Sequence, residues 1–151
     1  MSFWNMFRIG SSALSAQRLR LDLISNNIAN IETTSTEEGG PYQRQDVRFQ
    51  AQQSDPMFSD LISSRVPYLD SGPRGEGGVS VAEIVSDDSP GPQVYDPSHP
   101  DADEDGYVEY PNVNLAVEMT NMLSATRSYE ANLSVIEAAR SMALKSLEIG
   151  R

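Results

Sequence analysis

Leu115–Ile149 reads LAVEMTNMLSATRSYEANLSVIEAARSMALKSLEI, and this stretch decides the fold. Stepping four residues and then three from Leu115 meets Met119, Met122, Thr126, Tyr129, Leu133, Ile136, Arg140, Ala143 and Leu147. A 3.5-residue apolar repeat of that length predicts a coiled-coil-like helix, weakened only at Thr126 and Arg140. Pro111 blocks helix upstream, so Asn114 is the expected N-cap, with Glu118 in the first turn facing the positive helix end. Gly150 is the expected stop. At 1.5 Å per residue such a helix is about 54 Å long, whereas a small domain is only about 30 Å across. A second apolar stripe on the same helix (Val117, Ala131, Val135, Ala138, Met142, Ile149) also needs a neighbour. Each large side chain left uncovered forgoes about 1.5–3 kcal/mol of burial. Length therefore argues for a seam covered partly by other chains, not for the core of a monomer.

Working outward, the other end of the chain supplies one partner. Leu14, Leu21 and Ile28 are spaced by seven, with Ile24 and Ile31 between them, which predicts a helix from about Ser12 to Ile31 capped by Ser11 or Ser12 after Gly10. Leu19 and Leu23 widen its apolar face, and Gln17 breaks the seam once. About 30 Å long, this helix covers little more than half of the C-terminal one. Asn26, Asn27 and Asn30 are poor helix formers, so its last turn frays or is held by a partner.

Between the helices the pattern changes. Thr33–Pro41 is a loop by composition, and Tyr42–Phe49 reads as a strand. Gln50–Ser64 reads as a short helix with Met57, Phe58, Leu61 and Ile62 on one side, and Asp70–Gly78 as a connector. Val79–Val85 is the best strand of the chain, β-branched and partly alternating; Gln93–Tyr95 resumes it, and Tyr107–Tyr110 is a last short strand. The expected fold class is α+β: long terminal helices packed as a coiled-coil-like pair, with a small β-rich middle. Residues 1–34 and 112–151 form the expected discontinuous helical domain, and 35–111 the acidic outer domain.

Charge follows the same division. The net charge of −11 lies wholly within residues 55–111, where thirteen acids face two arginines, while both ends are neutral. Neutral amphipathic ends suit self-packing, and an acidic middle faces water. Nucleic-acid binding is disfavoured for lack of a basic surface. The longest apolar runs fall far short of the ~20 residues that span a bilayer, and Met1–Gly10 lacks the layout of a secretory signal. Without cysteine there is no disulfide, thiolate metal site or thiol catalysis.

The candidate chemical sites are weak. Asp101, Asp103, Asp105 and Gly106 match the opening of an EF-hand calcium loop, but the twelfth position is Asn112 and prolines replace the flanking helices. A solvated acidic turn is the plainer reading, with a calcium-dependent binding module as the alternative. His99, the only histidine, has no evident orienting partner. The glycosylation pattern Asn132–Ser134 falls inside the helix. No dinucleotide, P-loop, nucleophile-elbow or HExxH motif is present, and no cofactor is expected.

Ser12–Thr34 (SALSAQRLRLDLISNNIANIETT) resembles the N-terminal signature of the bacterial flagellar axial proteins, a helix ending in NNIAN followed by threonines. Gly40–Arg48 (GPYQRQDVR), Val94–Asp105 (VYDPSHPDADED), Tyr107–Leu115 (YVEYPNVNL) and Met119–Arg140 with its SYEAN are similar to the rod members of that family. Asn26, Asn27, Asn30, Pro111, Asn112 and Asn114 stand at the motif positions. The resemblance implies a structural subunit of the proximal rod, between the inner-membrane ring and the distal rod, that crosses the periplasm. It implies export through the flagellar type III apparatus without a cleaved signal, and terminal helices that line a channel. Copies of itself and other rod proteins are the implied partners, with no insertion into membrane. The same resemblance makes the DADEDG loop a family motif. The expected assembly residues are Leu14, Leu21, Ile24, Ile28, Ile31, Leu115, Met119, Met122, Tyr129, Leu133, Ile136, Arg140 and Leu147.

Overall fold

A computed structural model describes residues 3–37, 39–52 and 77–149. Its elements run α1 (Phe3–Ala29), β1 (Arg44–Ala51), β2 (Val79–Asp87), β3 (Gln93–Tyr95), β4 (Tyr107–Glu109) and α2 (Leu115–Ile149). The α+β class holds, with two long helices around a small antiparallel middle. Among the described residues no helix is long and apolar enough to cross a membrane.

α2 starts where the sequence places it. The Asn114 Oδ1 accepts hydrogen bonds from the backbone N–H of Ala116 (3.0 Å) and Val117 (3.2 Å), which satisfies two of the unpaired donors at a helix start. Thirty-five residues make α2 about 52 Å long.

α1 corrects the expected N-terminal boundary. It begins at Phe3, nine residues before Ser12, and runs through Gly10 without a break. Ser11 and Ser12 are not caps: their hydroxyls donate to the carbonyls of Arg8 and Ile9 one turn back. Gly10 costs the helix roughly 1 kcal/mol relative to alanine, but it is buried against α2. A Cβ there would lie 2.8 Å from Ile136 Cγ1. The glycine read as a helix boundary is a packing notch. With 27 residues α1 is about 40 Å long, so it covers more of α2 than expected.

The two helices are antiparallel, with Asn27 against Glu118 near one end and Gly10 against Ile136 farther along. Their buried apolar residues are small or few: Ala16, Leu23 and Ile24 on α1, Ala125 and Ala139 on α2. Small side chains let the backbones approach closely, and they leave a thin core.

β1 and β2 form one antiparallel ribbon, from Arg44↔Asp87 to Ala51↔Val79, with a bulge between Arg48 and Phe49. Gln50 and Ala51, expected to open a short helix, complete β1 instead. The rest of that helix and most of the Asp70–Gly78 connector lie outside the described residues. The ribbon is tied along α1 at two points. The Val79 N–H donates to Ser12 Oγ (3.1 Å), and Gln45 pairs with Asn27. β3 does not resume β2. It pairs with β4 as a second ribbon, with Tyr95 opposite Tyr107 and Val94 opposite Val108. Val108 is fully buried and anchors this ribbon. Gly106, at φ +83°, makes the left-handed turn into β4 that a side chain would strain.

Candidate assembly surface

The covered face of α2 is turned by about one position from the 3.5-residue repeat of the sequence. Met122, Tyr129, Ile136 and Ala143 face partly inward, as that repeat requires. The alternate positions in the covered face are Glu118, Ala125, Asn132 and Ala139, not Met119, Leu133 and Arg140, while Thr126 is half-buried at its edge. α1 presents Gly10, Ala16 and Asn27 to this face, and it fits small or polar partners. The larger residues are turned outward. Leu115, Met119, Leu133 (41% exposed) and Leu147 (73%) are uncovered, with Arg140 exposed among them. On α1, Ile24 is buried, while Leu14, Leu21, Ile28 and, just past the helix end, Ile31 are half-buried.

The second stripe of α2 is also bare. Val117, Val135 and Met142 are each more than half exposed, and Leu123 and Leu144 join them. A shallow open groove is lined by Thr120, Leu123, Ser124, Arg127, Ser128 and Ala131. A single chain thus leaves large apolar side chains uncovered along nearly the whole of α2. Contiguous apolar surface of this kind marks an interaction site.

Behind this surface lies a buried polar node that the sequence reading missed. Asn27 and Glu118 are both fully buried. The Asn27 side-chain amide mimics a neighbouring strand: its Nδ2 donates to the Gln45 carbonyl (2.8 Å), and its Oδ1 accepts from the Gln45 N–H (2.9 Å). The Tyr42 hydroxyl donates to the same Oδ1 (3.0 Å), and Asn27 Nδ2 reaches Glu118 Oε2 at 3.4 Å. Arg44 Nε donates to Glu118 Oε1 at 2.9 Å, which closes an ion pair. One cluster therefore joins the end of α1, the start of β1 and the first turn of α2. It explains why a poor helix former stands in the last turn of α1. The available signal was the position of Glu118, one turn before Met122 and two before Ala125 on the inward face.

The other motif residues divide by role. Asn26 is exposed. Asn30 closes α1, its Nδ2 donating to the Asn26 carbonyl (2.9 Å). Pro111 is buried, and Asn112 Nδ2 donates to Asp87 Oδ2 at 3.4 Å, linking the end of β2 to the approach of α2. In the acidic loop the Thr34 hydroxyl donates to Asp101 Oδ2 (2.7 Å), and Asp103 Oδ1 accepts from the N–H groups of Asp105 and Tyr107. These carboxylates shape a turn and tie it to the segment after α1. Among the described residues no group of three or more His, Asp or Glu converges on a metal position. His99 Nδ1 accepts from the Asp101 N–H within the same loop.

Electrostatics sharpen the node. Burial, then the nearby Glu118 charge, raises the Tyr42 phenol above its ordinary 10.0. Burial pulls the Arg44 guanidinium down, but the hydrogen bond and charge of Glu118, with Asp46, more than offset this and hold it above its usual value. An unfolded chain ionises its phenol first, so above pH ~10 the folded chain holds the extra proton. The Tyr42 contribution to stability is therefore complete below that pH and is lost as pH rises through the folded value. Alkaline unfolding followed by phenolate absorbance should show a late-ionising tyrosine coupled to loss of structure. Tyr42→Phe should remove that coupling; its persistence in the variant would assign it elsewhere.

Comparison with known proteins agrees with this architecture. The family profile "Flagella basal body rod protein" matches residues 7–35, and "Flagellar basal body rod FlgEFG protein C-terminal" matches 104–149. These segments contain most of α1 and the whole of α2. Three relatives share the name flagellar basal-body rod protein FlgC. That of Borreliella burgdorferi is 47% identical, covering 99% of this chain and 98% of its own. Those of Bacillus subtilis and Salmonella typhimurium are 41% and 38% identical, with full coverage of both chains. Matching in sequence from end to end, with paired terminal helices at both profile segments, the chain belongs to the FlgC family of flagellar basal-body rod proteins, structural subunits and not enzymes.

Proposed function

We propose that this chain builds the proximal rod of the flagellar basal body through the uncovered side of α2, and that the rod so formed transmits torque for motility. The observation that carries the reading is a helix of about 52 Å most of whose large apolar residues face away from its own chain. Copies of this chain and other rod proteins would cover Leu115, Met119, Leu133 and Leu147, with the half-buried Leu14, Leu21, Ile28 and Ile31 filling gaps from α1. Interfaces that do not close on themselves extend into a tube. In this arrangement residues 1–34 and 112–151 form the inner, channel-lining layer. Residues 35–111 form the acidic outer layer, and their charge limits misplaced sticking.

The thin core between α1 and α2 suits delivery before assembly. A pair held largely by alanines and a glycine, with Leu23 and Ile24 as its large buried residues, opens at lower cost than one held by leucines throughout, so the chain can enter a narrow type III export channel extended and gain order against its neighbours. Export without a cleaved signal and a periplasmic rod, seated on the inner-membrane ring, belong to the same proposal. A photo-crosslinking amino acid at Leu133 tests it. In isolated basal bodies it should give adducts with another copy or another rod protein, whereas the same group at the outer-ribbon Ser86 should not join the helices. Basal bodies in which the Leu133 probe yields only monomer would overturn the proposal.

A further inference from the structure

The second ribbon carries an exposed aromatic pair apart from the two helices. Opposite residues of an antiparallel pair share a face. Val94 and Val108 take one side, where Val108 is buried. Tyr95 and Tyr107 take the other, 64% and 45% exposed, with ring centroids 5.3 Å apart at 65°. The Tyr95 ring lies over Gly106: a Cβ there would lie 3.0 Å from the ring and 3.2 Å from Pro97. Both rings lie open to water.

The ribbon and its connecting loop carry charge of one sign. Within Gln93–Glu109 stand Asp96, Asp101, Asp103, Glu104, Asp105 and Glu109, and the sequence has no lysine or arginine between Arg74 and Arg127. The Ser98 hydroxyl and N–H bind Asp96 and hold its carboxyl below the usual range, so it stays charged. Two open aromatic rings within a carboxylate field select a cation that also has a flat face. Arginine has both: its guanidinium stacks on an aromatic ring while its N–H groups reach carboxylates, which the ammonium of lysine does less well. A sugar needs a flat aromatic platform, and rings crossed at 65° do not present one.

We propose that the Tyr95–Tyr107 face of the outer ribbon is a docking surface for an arginine-bearing segment of another protein chain. This deepens the outward-facing role given to the acidic layer. It rests on the ribbon alone, so it stands or falls separately from the packing of α2.

The test uses the full chain in solution and short blocked peptides of alternating arginine and glycine, or lysine and glycine. Ring resonances of Tyr95 and Tyr107 should shift with the arginine peptide, and it should bind about three- to five-fold more tightly than the lysine peptide. Tyr95→Leu should abolish that preference while both peptides keep their salt-sensitive attraction, with the Val108 amide protected from exchange as proof that the ribbon is intact. The comparison of the two peptides on the unaltered chain needs no variant and decides the matter if Tyr95→Leu unfolds the ribbon. Equal binding of the two peptides, absence of ring shifts, or ring shifts with chitotriose in place of the arginine peptide would overturn the proposal.

Discussion

Asn27→Asp should cost the folded chain about 3 kcal/mol, although it exchanges one side-chain atom for another of nearly the same size. The carboxylate keeps the acceptor that holds the Gln45 N–H and the Tyr42 hydroxyl. It loses the donor to the Gln45 carbonyl at 2.8 Å and to Glu118 at 3.4 Å. A buried carbonyl without a partner costs about 1–3 kcal/mol. A second carboxylate beside the fully buried Glu118 adds like-charge repulsion in a place that water does not reach. The Arg44 guanidinium cannot neutralise both, since it already serves Glu118 and Asp46. Against a typical stability of about 5–15 kcal/mol, the loss is large. Asn26→Asp is the control. Its side chain is exposed one residue away, and the change should stay within about 0.5 kcal/mol. Urea unfolding of the two variants beside the parent measures both. Equal midpoints for Asn26→Asp and Asn27→Asp would remove the node from the account of this fold.

The contrast between Asn26 and Asn27 shows what the sequence could and could not convey. Helix propensity treats the two alike, as poor residues near a helix end, and that much was legible. What separates them is a strand that begins fifteen residues or more later and that only tertiary folding brings to Asn27. The start of α2 was legible because its cap is local: Asn114 bonds to residues two and three ahead. The start of α1 was not, because Gly10 is a poor helix residue until Ile136 fills the space its missing side chain leaves. Strands β1 to β4 were legible within two residues from β-branched and aromatic runs, but their pairing into two separate ribbons was not, since alternation says nothing about partners. The heptad at Leu115–Leu147 gave the existence and length of α2 and half of its covered face. It could not give the rotation, because small residues at Ala125 and Ala139 carry no weight in an apolar count and yet are the most deeply buried apolar positions of α2.

That rotation separates two substitutions which the heptad alone treats as equivalent. Leu133→Asp and Ile136→Asp should both abolish swimming, but for different reasons. Leu133 is 41% exposed on the outward side of α2, so a carboxylate there meets water in the free chain. Stability of the isolated protein should change by no more than about 0.5 kcal/mol. In a rod the same carboxylate is buried against a neighbour without a partner, which costs several kcal/mol where leucine would have contributed about 1.5–3 kcal/mol. The penalty recurs at every equivalent contact, so elongation fails while folded subunit accumulates. Ile136 instead packs over Gly10 of α1. Aspartate there faces the notch, and the free chain should lose about 3 kcal/mol before any neighbour is involved. Unfolding midpoints of the purified variants, set beside motility and the yield of intact rods, distinguish a defect of assembly from a defect of folding. A Leu133→Asp strain that swims normally would show that the outward stripe of α2 is not an interface, and the apolar surface of this helix would then require another explanation.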